Sequence, residues 1–378
     1  MSDLSTALKA LERSRTQLPV SSYFDETLYQ QEIARIFQSG PRYLGHELVV
    51  PEVGDYYALP QENEGRALVR TPAGVELISN VCRHRQAVML KGRGSVGASR
   101  SNIVCPLHRW TYNLSGQLIG APHFDHDPCL NLNNYKLRNW NGLLFEDNGR
   151  DIAADLAGID ARFKPGGDLN FDGYVLDKVE LHECNYNWKT FIEVYLEDYH
   201  VGPFHPGLGN FVTCDDLRWD MAQEYSVQTV GVAATFDRPG SDIYKKWREV
   251  LLKYRNGEKP SQGAVWLTYY PTMMVEWYPH VLVVSNMYPQ GTQKTLNVVE
   301  FYYPEEIVAF EREFVEAQQA AYMETCIEDD EIGERMDAGR KALFDRGDNE
   351  VGPYQSPMED GMQHFHEWYR SRMPLLRA

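Results

Sequence analysis

The chain has 378 residues, with 37 Lys plus Arg against 54 Asp plus Glu, a formal net charge of −17. Hydrophobic residues make up 43% and charged residues 24%, the composition of a folded protein, which excludes disorder across the whole chain. So acidic a balance argues against nucleic acid as the main partner, because phosphate contacts need clustered Lys and Arg. A partner with a basic or neutral docking face suits it better.

The length suggests two domains or one large one. The opening MSDLSTALKALERSRTQLPV lacks the charged and apolar layout of a secretory signal. No window reaches about 18 consecutive apolar residues, so no membrane span and a cytoplasmic location are expected. The six cysteines are Cys82, Cys105, Cys129, Cys184, Cys214 and Cys326. They are too few for a disulfide scaffold and read as metal ligands or buried small hydrophobes.

Two helical patterns come first in chain order and fill 1–40. Leu4, Ala7, Leu8 and Leu11 share one face; Leu28, Ile33, Ile36 and Phe37 form a second pattern, stopped by Gly40. From 41 to 150 the texture is β-rich, with runs such as YYALP, ALVRT, VELISNVC and GLLFED separated by Gly, Pro and Asn turns. This predicts a compact β domain.

That domain carries two Cys–His pairs, Cys82-Arg-His84 and Cys105-Pro-Leu-His108. Facing loops of this kind supply two sulfurs and two nitrogens, a set taken by tetrahedral zinc or by a Rieske-type [2Fe–2S] centre. Zinc fingers group like ligands together. Pairs that each mix one Cys with one His suit the cluster better, since each loop then serves both irons.

Residues 151–172, rich in Gly and Asp, are the candidate linker to a second domain over 173–378. It opens on a strand and then the helical segment NWKTFIEVYLEDYH. On a continuous helix Glu193, Glu197 and His200 share one face, and Gly202-Pro203 should break the helix so that His205 swings back toward His200. Two imidazoles plus a carboxylate make the facial triad of non-haem iron oxygenases, although a lone H-x₄-H also fits surface histidines at a helix end. Strand-like runs follow at 227–236, 264–270, 273–278, 281–288 and 295–303, then a long acidic helix over 304–346. His364 and His366 lie in a helical tail, read as packing, and His123 and His126 read as loop residues.

The second loop, Cys105-Pro-Leu-His108-Arg-Trp110-Thr-Tyr112 with Gly116 downstream, resembles the Rieske pattern C-P-x-H-x-W-x-Y. The first, Cys82-Arg-His84-Arg85, is similar to the family's C-x-H-R. Arg109 stands where many members have Gly. Neither loop has the extra Cys of respiratory-chain Rieske proteins. Followed by Asn187-Trp188-Lys189 and then Glu197-x₂-His200-x₄-His205, the chain resembles over most of its length the catalytic (alpha) subunit of Rieske non-haem iron oxygenases.

That resemblance implies an α+β architecture: a Rieske β-sandwich domain at 41–150, and a catalytic domain of antiparallel sheet flanked by helices at 173–378, on which the N-terminal helices pack. It implies a [2Fe–2S] cluster on Cys82, His84, Cys105 and His108, and a mononuclear Fe(II) on His200, His205 and a distant Asp. The family pattern E-D-x-x-x-C-E-x-x-Q-x-G matches Asp329 to that Asp, with Asp330 the near rival; Gly333 and Asp337 replace the usual Cys and Gln. Glu197 matches the carboxylate that bridges an iron-bound His to a cluster His of the neighbouring subunit, here His108. Most members have Asp there, and Val194 stands at a position that is often Asn.

The resemblance further implies a homotrimer fed by a separate NAD(P)H-dependent reductase, with or without a ferredoxin. That system uses O₂ to hydroxylate or demethylate a small organic substrate, an aromatic compound or a quaternary amine. The chain has no dinucleotide-binding fingerprint of its own. Short chains of this family resemble monooxygenases, and Glu at the bridge occurs in the subgroup acting on trimethylammonium compounds. Trp266, Tyr269, Tyr270, Trp277 and Tyr278 are candidate pocket walls for a cation, with sheet-core packing as the competing reading. A Rieske electron carrier and a binding protein without oxygenase activity are the alternatives from other classes.

Overall fold

The computed structural model describes residues 16–97 and 102–373, so the expected Leu4–Leu11 helix lies outside the described residues. Pro41–Ala153 forms one unit; the chain before it and from Ala154 onward forms the other.

In the first unit, β1 (Tyr43–His46), β11 (Leu143–Glu146) and β10 (Leu137–Trp140) form a three-stranded sheet. A five-stranded sheet runs β5 (Arg93–Ser95), β2 (Asp55–Ala58), β3 (Arg66–Thr71), β4 (Gly74–Ser79), β9 (Asn134–Tyr135). A third sheet joins β6 (Asn102–Val104), β7 (Thr111–Asn113) and β8 (Leu118–Gly120). All pairings are antiparallel. Ala58, Ala67, Val69 and Ile78 from the five-stranded sheet meet Ile103 and Tyr112 from the smaller one, and Cys82, Cys105 and Trp110 sit in that same core. The apolar residues that hold the sheets together therefore also seat the two Cys–His loops.

The second unit is built on seven antiparallel strands. They are β12 (Tyr174–Cys184), β13 (Val212–Ala222), β14 (Tyr225–Val232), β15 (Ala264–Tyr269), β16 (Met273–Tyr278), β17 (Val281–Gly291) and β18 (Lys294–Pro304). Their spatial order is β12-β18-β17-β16-β15-β14-β13. The central strands are buried on both faces, which is why β15 reads AVWLTY without polar alternation. One face carries Trp266, Met274, Val281, Val283, Val299 and Phe301. It is covered by α1 (Glu26–Glu32), α2 (Trp188–Tyr195), α3 (Asp242–Tyr254), α4 (Arg312–Arg346) and α5 (Asp360–Arg372).

The stretch 151–172 is no free linker. Ile152, Leu156, Ile159, Phe163, Leu169 and Phe171 are all buried. Tyr269 donates to Asp155, and Phe171 packs edge-on against Tyr302 at 5.3 Å. Both tyrosines lie on the opposite sheet face, so this segment lids it. Its apolar residues alternate with Gly and Asp, which hid the pattern in the sequence.

Long helix α4 begins after a break at Glu311 and ends at Gly347, whose φ of 77° is a left-handed cap that L side chains disfavour. Helix α2 is shorter than expected. It ends at Tyr195, with Leu196 out of helical geometry. Glu193 therefore does not share a face with His200. It points into the helix layer, where Tyr23, His366 Nε2 at 2.8 Å and Arg340 Nη2 at 2.6 Å all donate to it. Gly202 and Pro203 lie inside a one-turn helix, Val201–Phe204, instead of ending one. Proline is tolerated in a first turn because that N–H has no helical acceptor.

Candidate metal centres and substrate pocket

The two Cys–His loops repeat one backbone turn. The amide of Gln86 donates to the Cys82 carbonyl at 3.1 Å, and that of Arg109 to the Cys105 carbonyl at 3.1 Å. The Cys82 amide donates to Ala87 at 2.9 Å, and the Cys105 amide to Trp110 at 2.8 Å. Gln86 and Arg109 hold φ of 55° and 61°. That left-handed position is the one where many relatives of the second loop carry Gly, and Arg109 bears the strain instead.

The result is convergence. His84 and His108 lie 4.7 Å apart between ring centroids, and His84 stacks on Trp110 at 5.0 Å. Both cysteines are buried and free. Tyr112 Oη lies 3.7 Å from Cys82 Sγ. His84 Nδ1 is buried without a hydrogen-bond partner among the described residues, which is costly unless something binds it. Two thiols and two imidazoles, with one nitrogen orphaned, fit a Rieske cluster.

In the second unit His200 Nε2 and His205 Nε2 lie 3.0 Å apart. Asp329 Oδ1, from the middle of α4, is 3.0 Å from His205 Nε2 and 3.4 Å from His200 Nε2. Ligands held about 2.1 Å from one cation at right angles lie about 3 Å apart, so the three donors suit a facial triad. Asp329 Oδ1 is buried and makes no well-formed hydrogen bond. Burial alone would lower the His200 pKa, yet Asp329 and Glu197 lift it to about 10. Two carboxylates beside one imidazole make a setting that favours a cation. Asp330 turns away to His182 Nε2 at 2.7 Å and Tyr186 Oη at 2.9 Å.

Both imidazoles are oriented from behind. Glu197 meets His200 Nδ1, and Glu328 Oε2 lies 2.7 Å from His205 Nδ1. A carboxylate on Nδ1 fixes the tautomer that presents Nε2 to a metal. Glu197 also accepts the amides of Tyr199 at 2.6 Å and His200 at 3.2 Å, which caps the turn that delivers His200. Sequence reasoning missed Glu328 as the counterpart of Glu197, although it directly precedes Asp329. The departures at Gly333 and Asp337 have local reasons. A Cβ on Gly333 would stand 2.9 Å from the Tyr186 ring. Asp337 accepts the Asn187 amide at 2.8 Å and the Thr190 hydroxyl at 2.6 Å, which anchors the start of α2.

The triad opens into a pocket enclosing about 800 Å³, mouth included. Its walls are strongly aromatic, with Tyr195, Tyr244, Trp247, Trp266, Tyr278 and Tyr322. Strand alternation explains which of the expected aromatics arrive. Trp266 pairs with Glu276 across β15 and β16, so Trp266, Glu276 and Tyr278 project from the face that α4 covers. Tyr269 and Trp277 project from the opposite face, and Tyr270 is buried against His364, Phe365 and Trp368. None of these three lines the pocket: Tyr269 and Tyr270 are buried, and Trp277 is half-buried on the far face. Tyr244 and Trp247 from α3 and Tyr322 from α4 carry no sequence motif and were not anticipated.

The family model described as Rieske [2Fe-2S] domain matches residues 32–136, and that described as ring hydroxylating alpha subunit (catalytic domain) matches 171–375. The chain belongs to the Rieske ring-hydroxylating oxygenase family: it is an oxidoreductase alpha subunit with a Rieske [2Fe–2S] cluster and a mononuclear iron. It is 68% identical over 373 residues to putrescine 2-hydroxylase of Ralstonia nicotianae, covering 99% of this chain and 100% of that protein. It is 26% identical to the chloroplastic choline monooxygenase of Beta vulgaris, over 93% of this chain and 75% of that one. Among solved structures, a quaternary ammonium Rieske monooxygenase superposes with a TM-score of 0.73 at 19% identity, covering 96% of this chain and 95% of that chain. No described helix is long and apolar enough to cross a membrane.

Proposed function

We propose that this chain is the terminal oxygenase of a multicomponent system and monohydroxylates a small aliphatic diamine of the putrescine class. The observation that carries this is the aromatic pocket onto which His200, His205 and Asp329 open. Rings of this kind favour a cationic amine. Identity of 68% to a putrescine 2-hydroxylase favours a primary diamine in place of the aromatic compound or quaternary amine expected from sequence. Such a reaction consumes one C–H bond, O₂, two electrons and two protons, and yields one C–OH and water.

Cys82, Cys105, His84 and His108 would hold the cluster, and His200, His205 and Asp329 would hold the iron. Bound there, these groups would supply electron relay and oxygen chemistry. The chain's own side chains exclude water through the aromatic walls and keep His200 and His205 in one tautomer through Glu197 and Glu328. Electrons come from a separate reductase, which the net charge of −17 suits to a basic docking face. In a homotrimer, Glu197 would link His200 of one subunit to the cluster-side His108 of its neighbour.

The test is single turnover of the chemically reduced protein with putrescine under ¹⁸O₂. A hydroxylated diamine carrying one heavy oxygen is expected. No product from putrescine, with hydroxylation or demethylation of an aromatic or quaternary amine probe instead, would refute the reading. Glu197→Gln should keep both metals and slow electron transfer between them by roughly 10–100-fold, as losses behind metal ligands do. Unchanged rapid-quench rates would count against the bridge.

A further inference from the structure

One buried acid in the pocket has no part in the scheme above. Glu276 on β16 is 1% exposed and lines the pocket. No Lys or Arg pairs with it among the described residues. Its hydrogen bonds come from neutral phenols: Tyr322 donates to Oε1 at 2.8 Å and Tyr278 to Oε2 at 2.6 Å. Trp266 Nε1 donates to Tyr278 Oη at 2.9 Å and so holds that ring in place. Tyr195 Oη, another pocket group, is buried without a hydrogen-bond partner among the described residues.

A buried carboxylate with no countercharge is costly, and each of its oxygens retains a lone pair after accepting one phenol. Burial pushes its carboxyl up to about 7, against the two phenols. We propose that Glu276, flanked by Tyr195, Tyr278 and Tyr322, is the subsite that receives an ammonium group of the substrate. The inference rests on the amine reading above and names the residue that recognises the charge. Tyr322 and Asp329 are seven residues apart on α4, about 10 Å of helix, and both face the pocket. A short diammonium chain held at Glu276 can therefore reach toward the triad. The aromatic rings around it favour the cation from the sides, and the carboxylate supplies the charge-assisted hydrogen bond that rings cannot.

The test is calorimetric binding of 1,4-diaminobutane and of its neutral counterpart 1,4-butanediol to the metal-loaded protein. Wild type should bind the diamine about 100-fold more tightly than the diol. Glu276→Gln should lose about 100-fold for the diamine and less than about threefold for the diol, with the cluster spectrum unchanged. Glu276→Asp, which keeps the charge, should retain about a tenfold preference. A Glu276→Gln protein that still prefers the diamine as wild type does would overturn the proposal. So would a wild type that binds diamine and diol alike, which decides the matter even if neither variant folds. Diamine turnover at an unchanged KM in Glu276→Gln would sink this subsite and leave the proposed activity standing. Tight, Glu276-dependent diamine binding without hydroxylation would do the reverse.

Discussion

His200→Ala is expected to remove the mononuclear iron, abolish turnover and leave the cluster untouched. The triad has two nitrogens and one carboxylate oxygen within 3.4 Å of one another, and Ala deletes one of them. What remains is one imidazole and one carboxylate, too few to hold iron in an open site. Loss of a group that merely orients a ligand already costs roughly 10–100-fold, so loss of the ligand itself should cost at least about 10³-fold in turnover. The cluster should survive because Cys82, His84, Cys105 and His108 belong to the other unit, where Cys82 and Cys105 sit in that unit's own core. Iron should fall from about three to about two per chain while acid-labile sulfide stays near two, and the visible spectrum should persist. Full iron retention with normal turnover would sink the assignment. An electron carrier, by contrast, would pass electrons equally well with or without His200.

The cluster loops were legible because their chemistry is local. Each ligand pair lies within a few residues, and mixing Cys with His in each loop is a constraint that zinc fingers do not share. Strands β15 to β18 were legible for a similar reason: a fully buried strand shows as an apolar run. Asp329 was harder, since it comes from a distant helix and is acidic among acids. Its choice over Asp330 follows from helix rotation, which sends consecutive side chains about 100° apart. One side chain meets the two imidazoles and the next meets His182 and Tyr186.

The pocket was largely hidden. An aromatic run along β15 and β16 does not say which rings face the iron until the register is known, and alternation sends Trp266 and Tyr278 one way and Tyr269 and Trp277 the other. Tyr244, Trp247 and Tyr322 come from two helices with no pattern linking them to the site. The one-face argument for Glu193, Glu197 and His200 failed because it assumed a continuous helix. The carboxylate of Glu197 caps a new turn where the old helix stops, and side chains of this kind compete with the ladder they interrupt.

Lys189→Met is expected to destabilise the fold by about 3–5 kcal/mol, far more than its place outside the pocket suggests. Lys189 is fully buried, and its Nζ lies 2.7 Å from Glu32 Oε1, itself 1% exposed. Glu32 also accepts Trp188 Nε1 at 2.9 Å and the Tyr369 hydroxyl. The pair thus ties α1 and α5 to α2, the helix whose end leads into Glu197 and His200. Methionine matches the length of the lysine stem, so the cost is electrostatic: Glu32 is left as a buried anion with only neutral donors. Exposed pairs are a useful contrast. Lys246 and Glu313 are about half exposed, and removing that pair should leave stability nearly unchanged, because water screens both charges. The decisive comparison is the double variant Glu32→Gln/Lys189→Met, which removes the stranded charge and should recover most of the loss. Thermal unfolding would read the single variant as a fall of roughly 5–9 °C and the double as a much smaller one. If the single variant matched wild type, or the double were no better than the single, the buried charge would not be what holds these three helices together.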